Sequence, residues 1–302
     1  MSYKHTQYRG RFAPSPSGPL HFGSLLAATA SYLEARKMAG HWWLRIEDID
    51  PPREVEGASE HIIKTLRQFA FEWDELSYQS QRIEIYQQYI NKLLDSKQAY
   101  YCACSRQDIT LYKQKEGITS DIYPGICRNG LNGKQARSIR LIVDDVNISI
   151  NDAIQGQQTV SMSKKIGDFI VKRADGLYSY QLAVAIDDSL QEMTQVIRGY
   201  DLHLSSYNQR YLCQQLNIPS PAYAHFPIAV DGKGDKLSKR TAAKDIALEE
   251  PQKVLFQALH FLGQEPPTSL QSVSLKQLWQ WAFEHWKLEK VPSCQSIKTT
   301  TD

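Results

Sequence analysis

Residues 11–24 read RFAPSPSGPLHFGS, and they give the first indication of the architecture of this chain. Prolines and glycines in this spacing are typical of a turn that brings the backbone close to a phosphate group. His21 follows the turn, and the apolar run from Leu25 to Ala39 predicts a helix that ends at Gly40. The free N–H groups and the positive dipole end of that helix would face an anion.

Strand and helix patterns alternate along much of the remaining chain. Large apolar residues at 41–47 predict a strand, which would bring Glu47 to its carboxyl end. The other predicted elements are helices at 56–71, 81–98, 204–216, 254–262 and 275–286 and strands at 168–172, 194–198 and 225–230. This order predicts an α/β fold with a parallel sheet and helical crossovers.

The segment from residue 100 to about residue 165 interrupts the alternation with clustered cysteines and Gly-rich turns. We expect it to be an insertion between a first half of the catalytic domain at residues 1–99 and a second half at 166–250. A short helical region would occupy residues 251–302 and end in a polar, disordered tail from Pro292.

Composition limits the possible function classes. The chain has 302 residues, of which 42% are hydrophobic and 23% charged, as in ordinary folded proteins. A net charge of only +2 means that a nucleic acid would have to meet a local basic surface. The sequence has no apolar run long enough for a bilayer and no secretion signal, so we expect a cytoplasmic protein. Five cysteines, an odd number, argue against a disulfide framework.

A second segment, KLSKR at residues 236–240, lies in a stretch rich in glycine and lysine. Alone it has the composition of any exposed turn, but together with the first stretch it resembles the nucleotide-binding signatures of class I aminoacyl-tRNA synthetases. Residues 11–47 are similar to the start of bacterial glutamyl-tRNA synthetases. Residues 21–24 correspond to the His-Ile-Gly-His element of that family, and residues 236–240 correspond to its Lys-Met-Ser-Lys-Ser element. Ser24 and Arg240 depart from the family pattern.

The resemblance implies a class I synthetase fold of the Rossmann type and an ATP-dependent activation of an amino acid. In this reaction a carboxylate oxygen attacks the α-phosphorus of ATP while pyrophosphate leaves, so positioning and charge stabilisation dominate. His21 and Lys239 would be the catalytic residues, and Mg²⁺ would accompany the ATP. The ATP-binding positions implied by the family are His21, Gly23, Ser24, Lys236, Ser238 and Lys239.

Recognition of L-glutamate needs a cation for the side-chain carboxylate and an anion for the α-ammonium group. By resemblance, Glu47 is the partner of the ammonium group. The glutamate-binding positions of the family fall on Arg11, Phe12, Ala13, Pro14, Ser15, Glu47, Tyr180 and Arg198. The alternative is that Arg11 and Arg198 form surface ion pairs and that Tyr180 is a core aromatic.

Three cysteines in the insertion, Cys102, Cys104 and Cys127, have a spacing that suits a structural Zn²⁺ ion. The insertion contains no histidine, and the family comparison points to the phenolic oxygen of Tyr123 as the fourth ligand. The alternative is a set of reduced, buried cysteines or a site that has lost its metal.

About sixty residues follow residue 240, too few for the anticodon-reading region of a conventional glutamyl-tRNA synthetase. The shortened form is similar to relatives that activate glutamate without tRNA and transfer it to queuosine in the anticodon stem-loop of tRNA(Asp). We expect a monomer with this activity. The alternatives are a truncated enzyme that charges the 3′ end of a tRNA, a small-molecule amino-acid ligase, and an inactive zinc module that binds RNA.

Overall fold

The computed structural model describes residues 7–232, 234 and 245–299. Lys236, Ser238 and Lys239 lie outside the described residues. The strands, numbered in chain order, are β1 Arg9–Phe12, β2 His41–Ile46, β3 Glu75–Tyr78, β4 Ala99–Cys102, β5 Ser138–Leu141, β6 Asn147–Asp152, β7 Gly156–Ser161, β8 Phe169–Lys172, β9 Gln195–Gly199, β10 Ala222–Phe226, β11 Ile228–Val230 and β12 Ser296–Lys298. The described α-helices are α1 Phe22–Lys37, α2 Ala58–Gln68, α3 Ile83–Asp95, α4 Arg106–Lys115, α5 Met162–Lys165, α6 Tyr180–Leu190, α7 His203–Leu216, α8 Pro251–Phe261 and α9 Leu275–His285.

The predicted helix after the first turn is confirmed as α1, which crosses over between the parallel strands β1 and β2. Strand β3 continues this sheet in the order β1-β2-β3. A Cβ atom at Gly40 would lie 2.3 Å from the carbonyl oxygen of Tyr8, so only glycine allows the chain to turn directly from α1 into β2. The alternation of strands and helices therefore gives the expected α/β fold.

A second sheet lies beside the first, in the strand order β7-β6-β10-β9. Strand β10 is parallel to both of its neighbours, whereas β6 and β7 form an antiparallel hairpin. The backbone N–H of Thr194, just before β9, donates to the carbonyl oxygen of Arg9 at 2.9 Å. This bond brings β1 and β9 together, so the turn after β1 faces the end of β9.

The segment expected to be an insertion contributes to two different sheets. Strands β4 and β5 form an antiparallel sheet with β8, in the order β4-β5-β8. The β6–β7 hairpin instead pairs with β10, a strand that lies outside this segment. The division of the chain at residues 99, 165 and 250 remains a proposal.

The prediction of a disordered tail from Pro292 is wrong for residues 292–299. Strand β12 pairs with β11 in parallel, and the side-chain amide of Gln155 donates to the carbonyl oxygen of Cys294 at 3.1 Å. Partners far away in the sequence satisfy the backbone of this polar segment, and its composition carries no sign of them. None of the described helices combines the length and apolar character that a membrane span requires.

Candidate active site

A cavity of about 500 Å³ lies between the turn after β1, the start of α1 and the ends of β9 and β10. It brings together ten of the predicted site residues: Arg11, Phe12, Ala13, Pro14, Ser15, His21, Gly23, Ser24, Tyr180 and Arg198. Glu47 lines an adjoining cavity of about 260 Å³, and Ser15 and Tyr180 line both. The described residues predicted to bind glutamate and ATP thus border one continuous region of the molecule.

His21 is the residue that immediately precedes α1, and its side chain does not cap the helix. A Cβ atom at Gly23 would lie 3.0 Å from Cε1 of His21 and 3.2 Å from its Nδ1. The imidazole therefore lies against the first turn of α1, where Gly23 has no side chain that would occupy the same space. The first turn of α1 contains no acidic residue, so the positive helix end is not neutralised from within the helix.

Arg11 lines the cavity with a guanidinium group that is already paired. Its Nε and Nη2 atoms donate to the two carboxylate oxygens of Asp188, each at 3.1 Å. Arg45 donates to the same carboxylate at 2.6 Å. Burial by itself raises the pKa of Asp188, but the two guanidinium groups outweigh this effect and lower the pKa to about 2.

Glu47 is a buried carboxyl group with an unsatisfied oxygen. Its Oε1 lies 3.6 Å from Nη2 of Arg45 and accepts no hydrogen bond from the described residues. Burial raises the pKa of Glu47 to about 7, although Arg45 and Arg11 partly oppose this shift. A buried carboxylate that lacks a donor can bind a substrate ammonium group, because that group would supply both the donor and the opposite charge.

Arg198 lines the same cavity as Arg11, but its surroundings are different. None of the ion pairs among the described residues involves Arg198, which is only 3% exposed. Its guanidinium group donates to uncharged acceptors: His225 Nε2 at 3.2 Å, Tyr180 Oη at 3.2 Å, Ser206 Oγ at 2.7 Å and Gln209 Oε1 at 2.8 Å. Burial raises the pKa of Tyr180, so its hydroxyl remains neutral. The positive charge of Arg198 is therefore available for a bound carboxylate.

Several residues of this region were not predicted from the sequence. Asp187 and Asp188 are adjacent acidic residues in an otherwise apolar helix, which is a recognisable local signal for buried ion pairs. His225 lies in the buried strand β10 and is held by Asp152 of β6. A single polar residue in a buried strand is a weaker signal, and the partner of His225 is 73 positions away in the sequence.

The three predicted cysteine ligands meet in a second site. The sulfur atoms of Cys102, Cys104 and Cys127 all lie within 4.8 Å of one another. The hydroxyl of Tyr123 is 3.4 Å from Sγ of Cys102 and 3.5 Å from Sγ of Cys104. Tetrahedral zinc with bonds of about 2.3 Å separates its sulfur ligands by roughly 3.8 Å, so these donors fit a zinc ion after small shifts. The guanidinium of Arg140 lies 3.8 Å from the centre of the Tyr123 ring. Burial and the hydrogen bonds to the cysteines raise the pKa of Tyr123, so a bound cation would have to draw the proton from its phenol.

Several known proteins are similar to this chain over nearly its whole length. A glutamyl-Q tRNA(Asp) synthetase from Chromobacterium violaceum is 44% identical over 95% of this chain and 96% of its own length. A protein of the same name from Aromatoleum aromaticum is 46% identical over 94% of this chain and 90% of its own length.

Among solved structures, the glutamate-tRNA synthetase from Elizabethkingia anophelis matches 98% of this chain and 68% of its own chain, with a TM-score of 0.81 and 25% identity. The family model described as "tRNA synthetases class I (E and Q), catalytic domain" matches residues 7–294. With this match and these relatives, the chain belongs to the family of class I tRNA synthetases (E and Q) and has its catalytic fold.

Proposed function

We propose that this protein activates L-glutamate with ATP and transfers the glutamyl group to queuosine in the anticodon of tRNA(Asp). One observation carries the proposal. Arg198, a buried cation with neutral partners, and Glu47, a buried carboxyl with an unsatisfied oxygen, lie on adjoining cavities that share Tyr180. A ligand with a carboxylate at one end and an ammonium group at the other matches these two groups.

In the first step, Arg198 binds the side-chain carboxylate of glutamate, and Glu47 binds its α-ammonium group. Among the other predicted glutamate-binding residues, Phe12, Ala13 and Pro14 form the wall of the cavity next to Arg11 and Ser15. The α-carboxylate oxygen then attacks the α-phosphorus of ATP, and pyrophosphate leaves. This orientation requires no covalent intermediate with the protein.

The phosphate groups of ATP lie against His21 and the start of α1, where Gly23 and Ser24 border the cavity. The Mg²⁺ that accompanies ATP supplies charge neutralisation when it is bound. The sequence resemblance assigns the departing pyrophosphate to Lys236, Ser238 and Lys239, with Lys239 as the second catalytic residue.

In the second step, a hydroxyl of the queuosine cyclopentene ring attacks the carbonyl carbon of the adenylate. An ester bond forms, the hydroxyl loses its proton and AMP leaves. The names of the two bacterial relatives support this acceptor, and the chain covers almost the whole length of both.

The cysteine cluster adds a structural role to this proposal. We assign one Zn²⁺ to Cys102, Cys104, Tyr123 and Cys127, where the metal would stabilise a segment with a very small core. We further propose that the enzyme acts as a monomer in the cytoplasm, where ATP and tRNA are available.

The fold similarity to a glutamate-tRNA synthetase favours a second candidate, a glutamate transfer to the 3′ end of a tRNA. One experiment separates the two. The protein is incubated with ATP, radiolabelled glutamate and tRNA(Asp) that either carries or lacks queuosine, and the labelled nucleotide is identified after ribonuclease digestion. Our proposal predicts label in the anticodon loop only when queuosine is present. Label on the terminal adenosine, or equal labelling of both tRNAs, would support the second candidate.

Activation is tested separately, without tRNA. We expect ATP–pyrophosphate exchange that is far more efficient with glutamate than with glutamine or aspartate. Equal exchange with several amino acids would instead indicate a ligase of broader specificity.

A further inference from the structure

Two arginines border the same cavity, and they differ in the charge of their hydrogen-bond partners. Arg11 is neutralised by a bidentate ion pair with Asp188. Arg198 has three of its nitrogen atoms engaged by acceptors without charge. An aspartate or glutamate in direct contact with Arg198 would hold it equally well, but it would cancel the charge that a bound carboxylate needs.

His225 accepts a hydrogen bond from Nε of Arg198, and this bond determines which nitrogen of the imidazole carries the proton. Nε2 of His225 must accept a hydrogen bond from the guanidinium, so it cannot carry a proton. Its Nδ1 therefore carries the proton and donates to Oδ2 of Asp152 at 2.5 Å. His225 is fully buried, and burial lowers its pKa to about 4, which agrees with a neutral ring.

Asp152 is itself held in one orientation. Its Oδ1 accepts the backbone N–H groups of Ile154, Gln155 and His225 at 2.9–3.1 Å. Only Oδ2 is left for the histidine, so the carboxylate cannot rotate without losing these bonds. The negative charge of Asp152 is thereby separated from Arg198 by the whole imidazole ring.

We propose that Asp152 and His225 are a positioning pair, which fixes the guanidinium of Arg198 and leaves its charge uncompensated so that the site prefers glutamate to glutamine. This inference rests on the proposed role of Arg198 in glutamate binding. The pair acts through Arg198 and does not touch the reacting atoms. Glutamine would leave the charge of Arg198 buried without an anion, and the loss of one charge-assisted interaction is worth about tenfold or more in affinity.

The variant Asp152→Asn tests whether Arg198 needs the His225 tautomer that carries its proton on Nδ1. The three backbone donors hold the amide oxygen at the place of Oδ1, so the amide nitrogen replaces Oδ2 and donates to Nδ1 of His225. The histidine proton then moves to Nε2, which can no longer accept from the Nε–H of Arg198 and instead donates to Oγ of Ser206, 3.0 Å away. We expect the KM for glutamate to rise about tenfold or more, whereas kcat stays within about threefold and the KM for ATP within about twofold.

Two further variants keep the test independent of folding. His225→Leu removes the acceptor and should raise the KM for glutamate at least as much as Asp152→Asn. His225→Gln places an amide oxygen within reach of Arg198 and should restore a KM within about threefold of the wild-type value. Tyr211→Phe is the matched control, because it removes a buried hydroxyl that lines neither cavity and should leave all kinetic constants unchanged.

The measurements are glutamate-dependent pyrophosphate exchange, the ratio of kcat/KM for glutamate and glutamine, and the Tm of each variant. The inference is supported if Asp152→Asn raises the KM for glutamate and lowers the glutamate-to-glutamine ratio while its Tm matches that of Tyr211→Phe. An unchanged KM in folded Asp152→Asn and His225→Leu would overturn it and leave the proposed function intact. A wild-type protein that shows no exchange with glutamate would overturn both.

Discussion

Glu47 combines deep burial with a carboxylate oxygen that accepts no hydrogen bond from the described residues. Its usual pKa is 4.5, and burial raises this value to about 7 in the folded protein. Between these two pH values the folded protein binds more protons than the unfolded chain. The contribution of Glu47 to the free energy of unfolding therefore falls as the pH rises from about 4.5 to about 7.

This shift predicts a pH dependence of glutamate use. In its proposed role Glu47 binds the substrate ammonium group in the ionised form, so kcat/KM for glutamate should rise with pH and level off above about pH 7. In Glu47→Gln the value should be much lower, and this inflection should be absent. The Tm of Glu47→Gln relative to that of the wild type should also increase between about pH 5 and pH 8. A wild-type profile that is flat across pH 7 would contradict the assigned role.

Gly23 makes a second prediction at the scale of one residue. Gly23→Ala would place a methyl group 3.0 Å from Cε1 of His21 and displace the imidazole by a few tenths of an ångström. We expect kcat/KM for ATP to fall by about tenfold, because small misplacements near a reacting phosphate are costly. Alanine favours helices, so the Tm should remain equal or rise. Normal exchange in this variant would show that the close approach of His21 and Gly23 is unimportant.

Among the elements of the fold, the segment around the cysteines has the smallest core. The buried part of this cluster comprises only Cys102, Ala103, Tyr123 and Cys127. Helix α4 follows within the same segment and buries none of its residues fully. Such a segment needs stabilisation from another source, and a metal bound by three thiolates can supply it.

The zinc proposal predicts one Zn²⁺ per chain in the purified protein, measured by elemental analysis. Cys127→Ser should lose most of this zinc and lower the Tm, because metal affinity contributes directly to folding. The control is Cys294→Ser, which changes a thiol outside the cluster and should retain the metal. Zinc retained in Cys127→Ser, or absent from the wild type, would contradict the assignment.

At the scale of the whole molecule, a buried network of charges joins the N-terminal strands β1 and β2 to helix α6. Asp188 on α6 binds Arg11 of β1 and Arg45 of β2, and neighbouring Asp187 binds Arg82 at 2.6 Å. These ion pairs fix the position of α6, whose first residue, Tyr180, lines both cavities. The arrangement of the site thus depends on contacts between distant parts of the chain.

Asp188→Asn should therefore destabilise the protein by about 3–5 kcal/mol, because it leaves two buried guanidinium groups with too little negative charge. Glu192→Gln is the matched control, since it breaks the more exposed pair with Arg9 and should cost less than about 1 kcal/mol. Urea unfolding of both variants measures the two values. Equal, small losses would show that the network contributes little to the stability of the fold.

Periodic patterns and turn residues were sufficient to predict most helices and several strands, including α1 and β2. The motif at 11–24 and the family resemblance also identified ten residues of the main cavity, and the spacing of the cysteines identified the three that cluster. These features depend on neighbouring residues, because helix periodicity, strand alternation and turn chemistry act over a few positions.

Other features depended on contacts across long sequence distances. The pairing of β6 with β10 and of β12 with β11 has no local signature, because a strand edge can accept any segment with suitable backbone geometry. The same holds for charge. Asp188 neutralises Arg11, whereas the partners of Arg198 are uncharged. The residue type alone does not predict this difference, because folding brings each arginine to acceptors that are remote in the chain.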